Sequence, residues 1–110
     1  MRKDRDRLLD IREAVDRVRE KLPVARDEFI RSDILQVWVS WHLQMIGEAA
    51  NNISAPLQAG HPEIPWKDII DMRNLLVHQY FRIDPDELWN TAHDDLPRLR
   101  TQVALILEKE

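Results

Sequence analysis

Cysteine is absent from all 110 residues, and glycine occurs only at Gly47 and Gly60. The first absence excludes disulfides, thiolate nucleophiles and cysteine zinc cages; the second leaves too few glycines for a phosphate-cradling loop. Long apolar runs are missing too. The longest uninterrupted one is Val103 to Leu107, far short of the roughly 20 residues that cross a bilayer. The segment Met1-Arg2-Lys3-Asp4-Arg5-Asp6-Arg7 leads into no signal-peptide apolar stretch, so a cytoplasmic protein without a membrane role is expected. A chain 44% hydrophobic and 33% charged is expected to form one small domain, residues 1–110, with no room for a second catalytic domain.

An overall basic charge is also lacking. The net of −4 argues against a protein whose main task is to coat nucleic acid. The distribution is uneven: residues 1–21 hold eight basic and six acidic side chains, net +2, and residues 22–110 hold eight and fourteen, net −6. Such a basic end could face an acidic partner or an RNA backbone. The same interleaved charges equally make an ordinary solvated helix face.

What is present is helical periodicity. Leu8, Ile11, Val15, Val18 and Leu22 recur at steps of three and four, predicting a first helix that Pro23 ends. After a charged connector, Ile34, Trp38, Trp41 and Met45 trace one stripe of a second helix, and Leu35, Val39, Ile46, Ala50 and Ile53 trace another. A helix apolar on two sides needs two partners. Either it is central to the bundle, or its tryptophan-bearing side meets a second copy of the chain. Ser54 to Pro65 carries Pro56, Gly60, Pro62 and Pro65 and is expected to be the one substantial loop. A third helix is predicted from Trp66 to about Tyr80. A fourth starts with Asp84 as cap, Pro85 at its first position and Glu87 closing a capping box, and Pro97 should kink or divide it. Nothing alternates with period two, so the expected fold is an all-α single-domain bundle of four to five antiparallel helices.

With cysteine absent, histidines are the leading candidates for proton transfer near neutral pH. His61 and His93 sit in polar surroundings that favour solvation, and His42, four residues after Trp38, fits a packed imidazole. No two histidines share a helical metal spacing, so neither a metal site nor a cofactor is expected. His78 differs. It follows Arg73 and Asn74 and precedes Tyr80, so one short helix end carries cation, amide, imidazole and phenol. At 100° per residue, Arg73, Val77 and Tyr80 share one face and Asn74 and His78 another, with Arg73 and His78 about 7.5 Å apart along the axis. A phosphate could touch both. The plainer alternative pairs Arg73 with Asp71 or Glu48, lets His78 cap the helix end, and packs Tyr80 with its hydroxyl at the surface.

Arg73-Asn74-Leu75-Leu76-Val77-His78-Gln79-Tyr80 resembles the R-x4-H-x-Y signature of the HepT-like branch of the HEPN superfamily, small helical proteins of prokaryotic toxin–antitoxin pairs. Arg5-Asp6-Arg7-Leu8-Leu9-Asp10-Ile11, Ile46-Gly47-Glu48-Ala49-Ala50, His61-Pro62-Glu63-Ile64-Pro65-Trp66 and Asp94-Asp95-Leu96-Pro97 resemble that family in the same order, so the likeness spans essentially the whole chain. The resemblance implies a HEPN-like fold and a metal-independent endoribonuclease toxin of a type VII-like system. It implies a homodimer, open to a higher complex with its antitoxin, whose shared cleft is lined by the Arg and His of both subunits. The implied partner is an MntA-like minimal nucleotidyltransferase that neutralises the toxin by transferring AMP to the motif tyrosine. Carried over, Arg73 and His78 are catalytic, Asn74 supports them, and Tyr80 is the site of AMPylation. Trp38, Trp41 and His42 lie outside the family pattern.

That assignment suits the chemistry. Histidine can accept the 2′-hydroxyl proton of RNA, and arginine's fork can hold two phosphate oxygens, giving a 2′,3′-cyclic phosphate that DNA cannot form. The main alternative is a non-catalytic HEPN binding module that pairs with the nucleotidyltransferase or binds a nucleotide. The acidic net charge keeps it open, because an RNA cleft needs local positive potential.

Overall fold

The computed structural model describes residues 3–109, and the expected all-α fold is what it shows. Helix α1 (Asp4–Lys21) buries Leu8, Ile11, Ala14, Val15 and Val18, the stripe read from its periodicity. Acids sit in its first turn and Arg19 and Lys21 in its last, each charge complementing the helix dipole. Helix α3 (Asp33–Asn51) is capped by the Ser32 hydroxyl, which accepts the Leu35 amide at 3.1 Å. Between them lies α2 (Arg26–Ile30), where the sequence suggests only a charged connector. One apolar anchor accounts for it: Phe29 is fully buried with its ring 5.7 Å from that of Trp89. The Gln36 amide then ties α2 to α3 by donating to the Phe29 and Ile30 carbonyls at 3.1 and 3.0 Å.

The expected loop from Ser54 to Pro65 is partly helical, which corrects the sequence reading. Helix α4 spans Ala55–Gly60 with Pro56 in its first turn, where proline's missing N–H costs no hydrogen bond. Gln58 closes it over the end of α3 by donating to the Ala50 and Ile53 carbonyls at 3.0 and 3.2 Å. The start of α1 meets the same junction, since the Asp4 carboxylate accepts from the Ser54 amide and hydroxyl at 2.9 and 2.6 Å. At the other end Lys21 lies over the Trp38 ring, 5.1 Å from its centre. These two contacts make α1 and α3 antiparallel neighbours.

Helix α5 (Trp66–Gln79) follows, and a 3₁₀ turn over Tyr80–Arg82 leads to α6 (Pro85–Asn90). The capping box expected at Glu87 is only half made. The Asp84 carboxylate accepts the Asp86 amide at 2.9 Å, and the Glu87 amide bonds the Asp84 backbone carbonyl instead, also at 2.9 Å. Pro97 divides this last helical segment: a π turn over Thr91–Asp95 precedes α7 (Leu96–Glu108), which carries Pro97 in its first turn. There its lack of an amide hydrogen is harmless, and the wider turn absorbs the register change. Asp16 joins α1 to α7 by accepting from Arg100 Nε at 2.6 Å and from its terminal nitrogen at 3.3 Å. Among the described residues no helix is long and apolar enough to cross a membrane.

The two stripes of α3 have different fates. Val39, Ile46, Ala50 and Ile53 are buried, and Leu35 is partly so. On the other stripe Trp38 is half-buried, but Ile34, Trp41 and Met45 stay exposed, Ile34 at 83%. Helices α3 and α5 approach each other closely. A Cβ on Gly47 would lie 2.2 Å from the Arg73 Cβ and 3.2 Å from the Ile69 carbonyl oxygen, so only glycine fits there. Gly47→Ala is expected to force the helices apart and cost about 1–3 kcal/mol, measured by urea denaturation; an unchanged midpoint would mean that the seam is not closed.

Candidate functional site

Close packing at Gly47 lays the stem of Arg73 against α3 and decides where its guanidinium goes. One terminal nitrogen of Arg73 pairs with Glu48 Oε2 at 3.2 Å, and the other donates to Asn74 Oδ1 at 2.9 Å. Glu48 is itself held: Asn52 Nδ2 donates to its carbonyl oxygen at 2.8 Å and to Oε1 at 3.3 Å. The chain Asn52–Glu48–Arg73–Asn74 therefore fixes a guanidinium that remains about one third exposed (31%). Fixing a fork before a ligand arrives removes rotamer entropy from later binding.

Of the two partners suggested for Arg73, the structure selects Glu48. Asp71 is taken by Lys67, one turn back, at 2.7 Å. The hydrogen bond to Asp71, and then its charge, raise the Lys67 ammonium above its ordinary value. His78 lies on the same unbroken helix as Arg73, so the axial spacing of about 7.5 Å holds. Its exposed ring has no hydrogen-bond or ion-pair partner among the described residues, so it does not cap the helix. Contrary to what ideal helical steps suggest, Tyr80 does not share a face of α5 with Arg73. The backbone leaves the helix at Gln79 (φ −142°, ψ 43°), and Tyr80 opens the 3₁₀ turn, its ring partly buried against the core and 5.6 Å from that of Phe81.

The remaining histidines have structural partners. His42 is buried, with Nδ1 2.7 Å from the Trp38 carbonyl oxygen; an acceptor there requires Nδ1 to carry the proton. His61 meets Glu63 at 3.3 Å, and His93 meets Asp94 at 2.8 Å while stacking on Trp89. Sequence reasoning missed Gly47 and Asn52 as parts of the site. A glycine inside a helical pattern, costly unless packing requires it, was the available signal for Gly47; Asn52 gave none.

Two clefts adjoin α3. One of about 430 Å³ runs between α3, α5 and α7 over Leu43, Ile69, Met72 and Leu99, and another of about 370 Å³ between α1 and α3 has Glu48 on its wall. Neither contains Arg73 or His78, which stand on an open surface.

With that geometry in view, the comparisons decide the family. A family model described as Ribonuclease HepT-like matches residues 11–106. The chain belongs to the HepT-like family of the HEPN superfamily. It is 37% identical over 100 residues, 90% of this chain and 91% of the other, to a protein of Thermococcus cleftensis named "Probable ribonuclease HepT". It is 34% identical to a "Putative RNase" of Methanocaldococcus jannaschii, over 73% of each chain. A third relative, a "Putative RNase" of Caldanaerobacter subterraneus subsp. tengcongensis, is 33% identical over 79% of this chain and 78% of its own. No solved structure matches the chain.

Because both partners of the Arg73–Glu48 pair are partly exposed, its coupling is expected to be small, about 0.2–1 kcal/mol. A double-mutant cycle of Glu48→Gln and Arg73→Gln by urea denaturation measures it. A coupling near zero would show that the pair does not hold the guanidinium.

Proposed function

We propose that this HepT-like protein is a metal-independent endoribonuclease toxin that cuts RNA between Arg73 and His78. The observation that carries the reading is the division of labour on α5: a guanidinium fixed by Glu48 and Asn74, and an unpartnered, exposed imidazole just over one turn further on. Family membership supports it. In the reaction His78 takes the proton of a ribose 2′-hydroxyl and the 2′-oxygen attacks the adjacent phosphorus. The 5′-oxygen leaves and takes a proton from solvent, giving a 2′,3′-cyclic phosphate and a 5′-hydroxyl. Arg73 holds two phosphate oxygens as charge builds on them, the kind of stabilisation that is often the largest catalytic contribution. Asn74 keeps the fork in its plane. DNA, lacking the nucleophile, is not a substrate.

An open site needs a second wall, and the exposed stripe of α3 is suited to recruiting one. Ile34, Val37, Trp41 and Met45 recur at steps of three and four, with Trp41 56% exposed; the reading places a second copy of the chain against them, facing two Arg73–His78 pairs toward each other. The proposed antitoxin is an MntA-like nucleotidyltransferase. Its reaction joins the Tyr80 oxygen to the α-phosphorus of ATP, releases pyrophosphate and gives the phenolic proton to solvent. The AMP so attached, two residues from His78, would block the cleft and offer Arg73 a competing phosphate.

Cleavage of a labelled single-stranded RNA in EDTA tests this, with intact mass confirming an unmodified Tyr80. His78→Ala is expected to lower the rate about 10²–10⁴-fold and Arg73→Ala about 10²–10³-fold, while Tyr80→Phe still cuts but accepts no AMP. If folded wild type cuts no RNA in a broad panel, the non-catalytic binding module takes its place. Trp41→Glu is expected to yield monomers by light scattering; a mass unchanged from wild type would remove the α3 face from the interface.

A further inference from the structure

Phe81 is 98% exposed, the fullest exposure of any aromatic side chain among the described residues. Its backbone is nevertheless anchored. On one side Tyr80 packs against the core, on the other Ile83 is buried, and the Ile83 amide bonds the Tyr80 carbonyl at 3.1 Å, closing the 3₁₀ turn. The Tyr80 ring meets Phe81 edge to face, 5.6 Å between centres at 74°, which sets the direction of the ring. The fold thus holds an apolar surface of benzene size out in water.

Its neighbours differ from those of the α3 stripe. There, apolar side chains adjoin one another at helical steps, as an interface between proteins requires. Phe81 instead has partly buried Tyr80 on one side and exposed Arg82 on the other, and Arg82 has no ion-pair partner among the described residues. A fully exposed aromatic ring beside a free cation matches one nucleotide of a single strand, base on the ring and phosphate on the guanidinium. The position is right as well. Phe81 follows His78 by three residues, so their Cα atoms are at most about 11 Å apart, within reach of a nucleotide next to the one being cut.

We infer that Phe81 and Arg82 form a stacking subsite that positions the nucleotide flanking the cleaved bond in single-stranded RNA. The inference rests on the ribonuclease reading and deepens it. Because every base has a π face, such a subsite tolerates sequence. It favours unpaired RNA, whose bases can splay out onto the ring, over a duplex.

Binding of a short RNA made uncleavable by 2′-methoxy groups tests this, with wild type, Phe81→Ala, Phe81→Leu and Phe81→Trp compared by fluorescence anisotropy and their masses by light scattering. The alanine and leucine variants are expected to bind about 5- to 150-fold more weakly, and tryptophan to restore affinity, all at wild-type mass. Scanning an abasic nucleotide along the RNA should find one position that costs wild type a similar factor and costs Phe81→Ala nothing further. A leucine variant that binds like wild type, or an affinity loss that follows a change in mass, overturns the subsite. If wild type binds and cuts RNA and Phe81→Ala does so equally well, only the subsite fails. A wild type that binds none of the RNAs overturns the ribonuclease reading and the subsite with it.

Discussion

The contact on which the rest of the site depends is the seam between α3 and α5 at Gly47. Without a side chain there, the two helices approach until the Arg73 Cβ occupies the space a Gly47 Cβ would need. Arg73 is then not a flexible surface arginine. Its stem is confined by the α3 backbone, and its guanidinium ends between Glu48 and Asn74. On the same helix Val39, Ile46 and Ala50 are buried, while Ile34, Trp41 and Met45 stay exposed. Seam and site follow from one packing choice.

The smaller elements serve that arrangement by covering its ends. Helix α2 fastens Phe29 to Trp89, α4 brings Gln58 over the last carbonyls of α3, and Asp4 ties the start of α1 to the same corner. Gln58 satisfies carbonyls that the end of α3 leaves open, which in a small bundle is what separates a defined end from a frayed one. Downstream, the 3₁₀ turn and then the π turn change the helical register twice, re-aiming first Tyr80 and Phe81 and then the face of α7.

Electrostatics shapes how the proposed chemistry can proceed on an acidic protein. Arg73 pairs with Glu48, so a phosphate gains its full attraction only by taking over part of that contact. This exchange would replace one anion with another at a guanidinium held by Asn74. Binding away from the reacting phosphate then has to come from sources other than net charge, such as stacking and exposed arginines.

Much of this was legible in the residues. Heptad-like spacing gave α1, α3 and α5, Asp84-Pro85 gave the start of α6, and Pro97 marked the break before α7, because the 3.6-residue period and the geometry of proline are local properties. The motif from Arg73 to Tyr80 was legible as a group through its resemblance to the R-x4-H-x-Y signature. Helix α2 was not, since its only signal is a single phenylalanine whose burial depends on Trp89, sixty residues away. Nor was the proline-bearing α4, since what completes it is the Gln58 side chain folding back over α3. Sequence alone determined which chemical groups this protein brings to one helix end. Only the tertiary structure decided that Arg73 is gripped by Glu48 and not Asp71, that Tyr80 leaves the helix, and that Ile34, Trp41 and Met45 face outward. Each of those outcomes depends on which helix lies alongside, and helix packing is settled by shape between residues far apart in the chain.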